Sequence, residues 1–244
     1  MIIDVRFNET NQAFNANFGE TYRVSDGGYE RGLEDGKQTE WNAFWDEYQQ
    51  YGNRKDYGNA FCRYNFTDKN FKPKYDIVPD NYGAQMFQDC PHITNLKKLL
   101  EDAGVKLDLS KCGSLLQMFQ GSENMTYLPV IDGSVATSYN YTFYGTKALK
   151  EIDKFIVNEK GTFNNTFAGS RVVEKIIFEG TIGNDLSLKD SVLLNHESLM
   201  SVINCLKDFS GSGTTHTLTL GATNLAKLTD AEKAIATQKG WTLA

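Results

Sequence analysis

A four-residue pattern returns three times at a constant interval, and nothing else in the chain constrains its fold as strongly. Phe119-Gln120-Gly121-Ser122, Phe143-Tyr144-Gly145-Thr146 and Phe167-Ala168-Gly169-Ser170 stand 24 residues apart. Apolar columns keep the same phase: Met125, Leu149 and Val173; Leu128, Ile152 and Ile176; and the larger Leu115, Tyr139 and Phe163. A fixed period of roughly 20 to 29 residues built on aliphatic positions marks a solenoid whose unit is one strand plus a turn or short helix. One such unit cannot bury its own apolar face, so neighbouring units must stack. The spacing therefore predicts Phe119, Phe143 and Phe167 as a buried ladder beside Gly121, Gly145 and Gly169. Strands are expected around Tyr127 to Ile131, Glu151 to Val157 and Lys175 to Glu179.

The pattern stops where a fourth copy would fall. Leu186 and Leu188 fit an early strand, but Ser191 and Leu193 replace the expected Phe and Gly. A helix from Asn195 to Phe209 follows, its apolar face drawn by Leu199, Val202, Ile203, Leu206 and Phe209, which suits an exit cap over the open apolar end. Beyond the Ser210 to Gly213 loop, His216 to Leu220 reads as a strand. Thr229 and Glu232 form a capping box for a helix over Lys233 to Lys239 that Gly240 ends. On the entry side, Thr94 is the expected cap of a helix carrying Leu96, Leu99, Leu100 and Ala103 and stopping near Gly104, followed by a strand over Val105 to Leu109.

Ahead of the repeats the pattern changes. Residues 1 to 24 alternate apolar and polar and predict two or three short antiparallel strands. Tyr29 to Tyr51 reads as a helix with Trp41, Phe44, Trp45 and Tyr48 on one side. Trp41, Phe44, Tyr48 and Tyr51 also fit a short a/d seam, which leaves a homo-oligomer open, although packing within its own domain is favoured. Tyr51 to Tyr75 is irregular and rich in aromatics, reading as cover for the end of a core, with a sugar-binding platform as the alternative. The domain organisation expected is residues 1–92 as an N-terminal α+β module and 93–244 as the repeat region with helical caps, the true repeats spanning about 114–188.

Composition narrows the function. With 244 residues and 40% hydrophobic content the chain can build a substantial core. Its net charge of -6 works against phosphate binding, so nucleic acid is not an expected partner. No apolar run of about 18 residues exists and Met1 to Phe7 lacks signal-peptide character, so neither a membrane span nor export by a signal is expected. Cys62, Cys90, Cys112 and Cys205 are scattered without a C-x-x-C pair and read as reduced packing residues.

No nucleophile elbow, phosphate loop, zinc-binding His-Glu-x-x-His or dinucleotide fingerprint is present. His196 falls in the first turn of a helix as a surface or cap residue, and His216 on the solvent face of a strand. Carboxylate pairs such as Glu34 and Asp35, Asp46 and Glu47, and Glu101 and Asp102 lie on polar helical faces. No catalytic, cofactor-binding or metal-binding residue is assigned, and no cofactor is expected.

Thr142-Phe-Tyr-Gly-Thr-Lys-Ala-Leu-Lys-Glu-Ile-Asp153 resembles the BspA-like leucine-rich repeat, whose units carry A-F-x-G-C-x-x-L-x-x-I. Thr166 to Ile177 resembles it too, and Met118 to Leu128 more loosely. The usual I-P-x-S-V-T-S-I-G arm is degraded, with Tyr139 and Phe163 carrying its apolar position, and Ser or Thr replaces Cys. The whole chain is similar to a narrower group of short repeat proteins encoded in the tail-gene regions of phages and prophages of gut bacteria. Phe14 to Glu20, Gly32 to Lys37, Phe44 to Gln50, Phe71 to Ile77, Thr214 to Leu220 and Gly240 to Leu243 carry that similarity.

The resulting expectation is a non-enzymatic binding or structural protein: an α+β chain with a small N-terminal sheet-and-helix module followed by a short, capped solenoid. Outward residues of the strands form the candidate binding surface, namely Tyr127, Pro129, Glu151, Asp153, Lys175 and Ile177. The resemblance implies a place in a phage tail or baseplate and contact with a protein or glycan of the host surface. Other tail proteins would be further partners, with the chain in the virion or, before assembly, in the bacterial cytoplasm. A host-encoded adhesion or protein-interaction module is the alternative, and a carbohydrate-active enzyme using Tyr51 to Tyr75 a third.

Overall fold

Strand pairing follows the 24-residue period. The computed structural model describes residues 83–244 together with 4–6, 15–17, 61, 67–69, 71–73 and 76–79. Among these the fold is mixed α/β, with small sheets, few helices and no closed barrel. In chain order the elements are β1 (Asp4–Arg6), β2 (Asn15–Asn17), α1 (Leu96–Ala103), β3 (Tyr127–Leu128), β4 (Ile131–Asp132), β5 (Glu151–Val157), β6 (Lys175–Gly180) and β7 (Leu186–Ser187). Then come α2 (His196–Cys205), β8 (His216–Thr219), α3 (Gly221–Leu225), α4 (Asp230–Gln238) and β9 (Trp241–Leu243). β1 and β2 pair antiparallel, Asp4 opposite Asn17, as the alternation over residues 1 to 24 predicts. The helix expected over Tyr29 to Tyr51, with its Trp41 to Tyr51 seam, and most of the Tyr51 to Tyr75 segment lie outside the described residues.

The central sheet is parallel. Tyr127 pairs with Glu151 and Glu151 with Lys175, while Leu128, Ile152 and Ile176 align one step on, all three fully buried. The turn segments ahead of the strands are laddered in the same register: Phe119 N donates to Thr142 O and Phe143 N to Thr166 O, both at 2.9 Å. That ladder brings the aromatic rings face to face. Phe119 and Phe143 stack at 5.7 Å and 4°, and Phe143 and Phe167 at 5.0 Å and 22°. Gly121, Gly145 and Gly169 follow each ring with φ of +71°, +70° and +79°, a backbone state that a Cβ disfavours.

The register also runs earlier than the sequence pattern indicates. Phe87 stacks on Phe119 at 5.5 Å and 9°, and Cys90 N donates to Ser122 Oγ, a separation of 32 residues. Asp89 occupies the glycine position with φ of +52°. This unit contains α1 where later units carry a strand. A helix rises about 1.5 Å per residue against about 3.3 Å for a strand, so it needs more residues to cross the same width. The same lengthening recurs around α2, where Leu186 pairs with Leu218 and Ser187 with Thr219. Between them lies a shortened unit: Ser191 Oγ donates to Ser170 O across 21 residues, and Leu188 and Leu194 are buried in the Phe and Val positions. The missing fourth repeat is thus a change of length rather than a stop.

Each unit is also joined to the next by small buried hydroxyls. Ser122 Oγ donates to Phe87 O at 2.6 Å, Ser170 Oγ to Phe143 O at 2.6 Å, and Thr146 Oγ1 lies 2.9 Å from Ser170 Oγ. At the far end Asn224 Nδ2, fully buried, donates to Leu188 O, Ser191 O and Leu220 O. Buried polar groups must be paired, and side chains at this column satisfy carbonyls of the turn ladder.

Several expected boundaries shift for local reasons. α1 is capped by Asn95, whose side chain accepts from Lys98 N, whereas Thr94 is held through its N–H and hydroxyl by Asp68. Val105 to Leu109 does not form a strand; Leu107 makes a single bridge to Ile77, and Asp108 turns the chain by accepting from Ser110 N. α2 ends at Cys205 because Leu206 is drawn into a parallel bridge with Ile182, so Phe209 lies beyond the helix. The last helix begins at Asp230, with the Thr229 and Glu232 capping box in place. α3 and β9 have no counterpart in the sequence reading. Cys90 and Cys112 are buried in the core and Cys205 is half-buried.

Candidate functional site

Six strand residues were singled out as an outward surface, and the parallel register sets them in two rows. Tyr127, Glu151 and Lys175 are directly paired neighbours. Pro129, Asp153 and Ile177 lie two residues further along each strand, and all six are half-buried. Pro129 has no N–H to give, and the pairing with β5 breaks there, leaving β3 and β4 as two short strands against one long one. Across the other edge of β5 the register slips between Ile152 and Phe155, so that Asp153 and Lys154 oppose Ile177 alone. This bulge turns both charged side chains out of the sheet.

The surface is laced by opposite charges. Lys97 Nζ lies 2.7 Å from Asp153 Oδ1, Lys154 Nζ 2.7 Å from Glu179 Oε1, and Lys175 Nζ 3.9 Å from Glu151 Oε1. Lys97 comes from α1. The Asn95 bridge to Tyr127 puts it in the row of Pro129 and Asp153, and its side chain reaches over β3 to β5. The hydrogen bond that Lys97 donates to Asp153 raises the Lys97 pKa, against partial burial that lowers it. Pairs exposed to this degree contribute only about 0.2–1 kcal/mol each to stability, so their placement matters more for what the surface can contact.

Helices close the sheet at each side. Thr126 N and Oγ1 both donate to Thr94 O just ahead of α1. At the other side α2 supplies hydroxyls in place of a next strand: Ser198 Oγ accepts from Ile176 N and Ser201 Oγ from Phe178 N, each at 3.0 Å. From the Lys97 position to Ile177 is three strand spacings, about 14 Å. Lys97, Lys154 and Glu179 were missed in the sequence. Lys97 was hidden because its unit runs at 32 residues, and the other two because a bulge leaves no mark on the period.

Other chemistry-bearing residues lie apart from this face. His196 opens α2 with Nε2 2.8 Å from Glu232 Oε1. His216 is not a plain solvent-face residue: its ring packs 4.8 Å from Phe209 and 5.5 Å from Trp241, with Nδ1 3.1 Å from Asp185. Phe61 and Phe71, from the aromatic-rich segment, are buried against Phe87 at 4.9 and 6.0 Å and belong to the core rather than to an exposed platform. Among the described residues no group of three or more His, Cys, Asp or Glu side chains could hold a metal ion, and no helix is long and apolar enough to cross a membrane. In comparisons with known proteins, no family model, curated protein or solved structure matches the chain.

Proposed function

We propose that this chain is a non-enzymatic binding and structural protein, a short capped solenoid of the BspA-like leucine-rich-repeat type carried behind an N-terminal α+β module. In this reading it is a component of a phage tail or baseplate, and the face of β3, β5 and β6 contacts a protein or glycan of the host surface. The parallel 24-residue register supports the reading most: it presents Tyr127, Glu151 and Lys175 as one row and Pro129, Asp153 and Ile177 as the next. Stacked units of this kind offer extended surfaces whose outward strand residues do the contacting. The mixed charges, with an aromatic and an aliphatic side chain among them, suit a polar partner held by specific pairings.

Binding of the fluorescently labelled chain to cells of the bacterium that carries the gene tests the proposal. A Tyr127→Ala, Lys175→Glu double variant should lose about tenfold or more in affinity while keeping the parent melting curve. A folded variant that binds as the parent does would rule out this face, and no binding by the parent chain would count against host contact altogether.

A further inference from the structure

The turn segments that carry the Phe ladder form a second surface, distinct from the strand face and low in charge. No Asp, Glu, Lys or Arg stands between Leu115 and Ser122, between Tyr139 and Thr146, or between Phe163 and Ser170, in a chain of which 23% is charged. The backbone ladder aligns these segments side by side: Gln117 N donates to Asn140 O, Tyr141 N to Asn164 O and Gly121 N to Tyr144 O, each at 2.9 Å.

Gln117, Tyr141 and Asn165 hold the same place in successive units. All three have left-handed φ, +56°, +57° and +53°, which stands out in residues other than glycine. Gln85 begins the same row, donating from Nε2 to Gln117 Oε1 at 3.1 Å. In the neighbouring row Gln120 precedes Tyr144, which is 42% exposed and meets the Tyr141 ring edge-on at 5.7 Å and 64°. Gln120 Oε1 is buried with no hydrogen-bond partner in the protein.

From this strip we infer a binding site for a neutral oligosaccharide. A sugar presents hydroxyls that both give and take hydrogen bonds and a C–H face that packs on an aromatic ring. Tyr144, braced by Tyr141, is the ring; the amides of Gln117, Gln120 and Asn165 can donate and accept at once. Tyrosine supplies rigid amphipathic contact area and amides supply adaptable hydrogen bonding, a pairing that recurs where polar surfaces are recognised. The absence of Lys and Arg from these segments, with Asp89 beside Gly121 and Asp190 accepting from Gly169 N, selects against acidic glycans and against nucleic acid, both of which need cations. Rotation of the Gln120 amide toward the ligand would give its unpaired oxygen a donor. The site shares no residue with the strand face, so either can fail without the other.

An array of neutral and acidic oligosaccharides probed with the full chain tests this, followed by calorimetric titration of the best neutral hit. Binding should be confined to neutral glycans and persist in about 0.5 M salt, where charge contacts are screened. It should fall at least tenfold in Tyr144→Ala and in Gln120→Leu, both with parent-like melting. Preference for acidic glycans, loss in salt, full binding by Tyr144→Ala, or no neutral hit would each overturn the assignment. So would concentration-dependent dimers abolished by Tyr144→Ala, since a second copy of the chain would then be the occupant.

Discussion

Replacing Phe143 by Ala removes the middle rung of the aromatic ladder, and the structure sets the size of the effect. The ring is fully buried, stacked between Phe119 at 5.7 Å and Phe167 at 5.0 Å, and met edge-on by Phe155 at 5.4 Å and 83°. Losing the transfer of a buried aromatic side chain costs about 1.5–3 kcal/mol. The cavity adds to this, and Phe to Ala changes in cores total about 3–5 kcal/mol. Phe119 and Phe167 are held apart by backbone ladders on either side of Phe143, so the hole cannot collapse along the stack and the upper half of that range is expected. Against a total stability of about 5–15 kcal/mol this is a large share. In equilibrium urea unfolding, with a slope of about 3 kcal/mol/M for a chain of this size, the midpoint should fall by about 1.3–1.7 M. Tyr144→Ala, at the next residue but exposed, should change stability by no more than about 0.5 kcal/mol. A loss below about 1 kcal/mol for Phe143→Ala, or equal losses for the two variants, would refute the ladder as a source of stability.

Three further outcomes follow from single contacts. A Cβ at Gly161 would lie 2.0 Å from Tyr139 Cε2, and Tyr139 is pinned by hydrogen bonds from its hydroxyl to Gly133 O and from Asn158 N, so Gly161→Ala should cost about 1–3 kcal/mol; an unchanged Tm would contradict this. Asn224→Leu keeps the side chain's branching but removes a donor from the carbonyls of Leu188, Ser191 and Leu220, and urea unfolding should register a loss of about 1–3 kcal/mol, whereas a neutral result would mean that backbone donors such as Ser191 N on Leu188 O suffice. Hydrogen bonds from Thr229 hold the Glu232 pKa below its ordinary 4.5, so its stabilising effect is present above that pH and is lost as pH falls through the folded value. The acid side of the stability profile should therefore be shallower in Glu232→Gln than in the parent, and identical profiles would remove the capping box from the account of acid unfolding.

The middle of the fold was legible because its units keep one length. Phe143, Thr146, Leu149 and Ile152 can be matched residue for residue with Phe167, Ser170, Val173 and Ile176, and these positions are all buried. The ends were not, because a helix in place of a strand stretches the unit to 32 residues. Asp89 in the left-handed glycine position concealed the Phe87 unit further, although Phe87, Cys90, Ile93 and Leu96 repeat the spacing of Phe119, Ser122, Met125 and Leu128. The candidate face was legible as rows of residues, since period fixes which strand positions align. Its electrostatics were not: the Asp153 and Lys154 bulge depends on an unequal residue count between β5 and β6, and Lys97 enters from a helix. His216 was misplaced because Phe209 leaves α2 early and Trp241 returns in β9, neither of which periodicity predicts.

The proposed role depends above all on where the chain resides. Induced phage or prophage particles from the bacterium that carries the gene can be purified on a density gradient and their proteins quantified by mass spectrometry. The account predicts that this chain co-purifies at a fixed ratio to the tail proteins and is absent from capsids separated from tails. Its absence from intact particles, with the chain recovered instead from the cell fraction, would contradict the tail assignment.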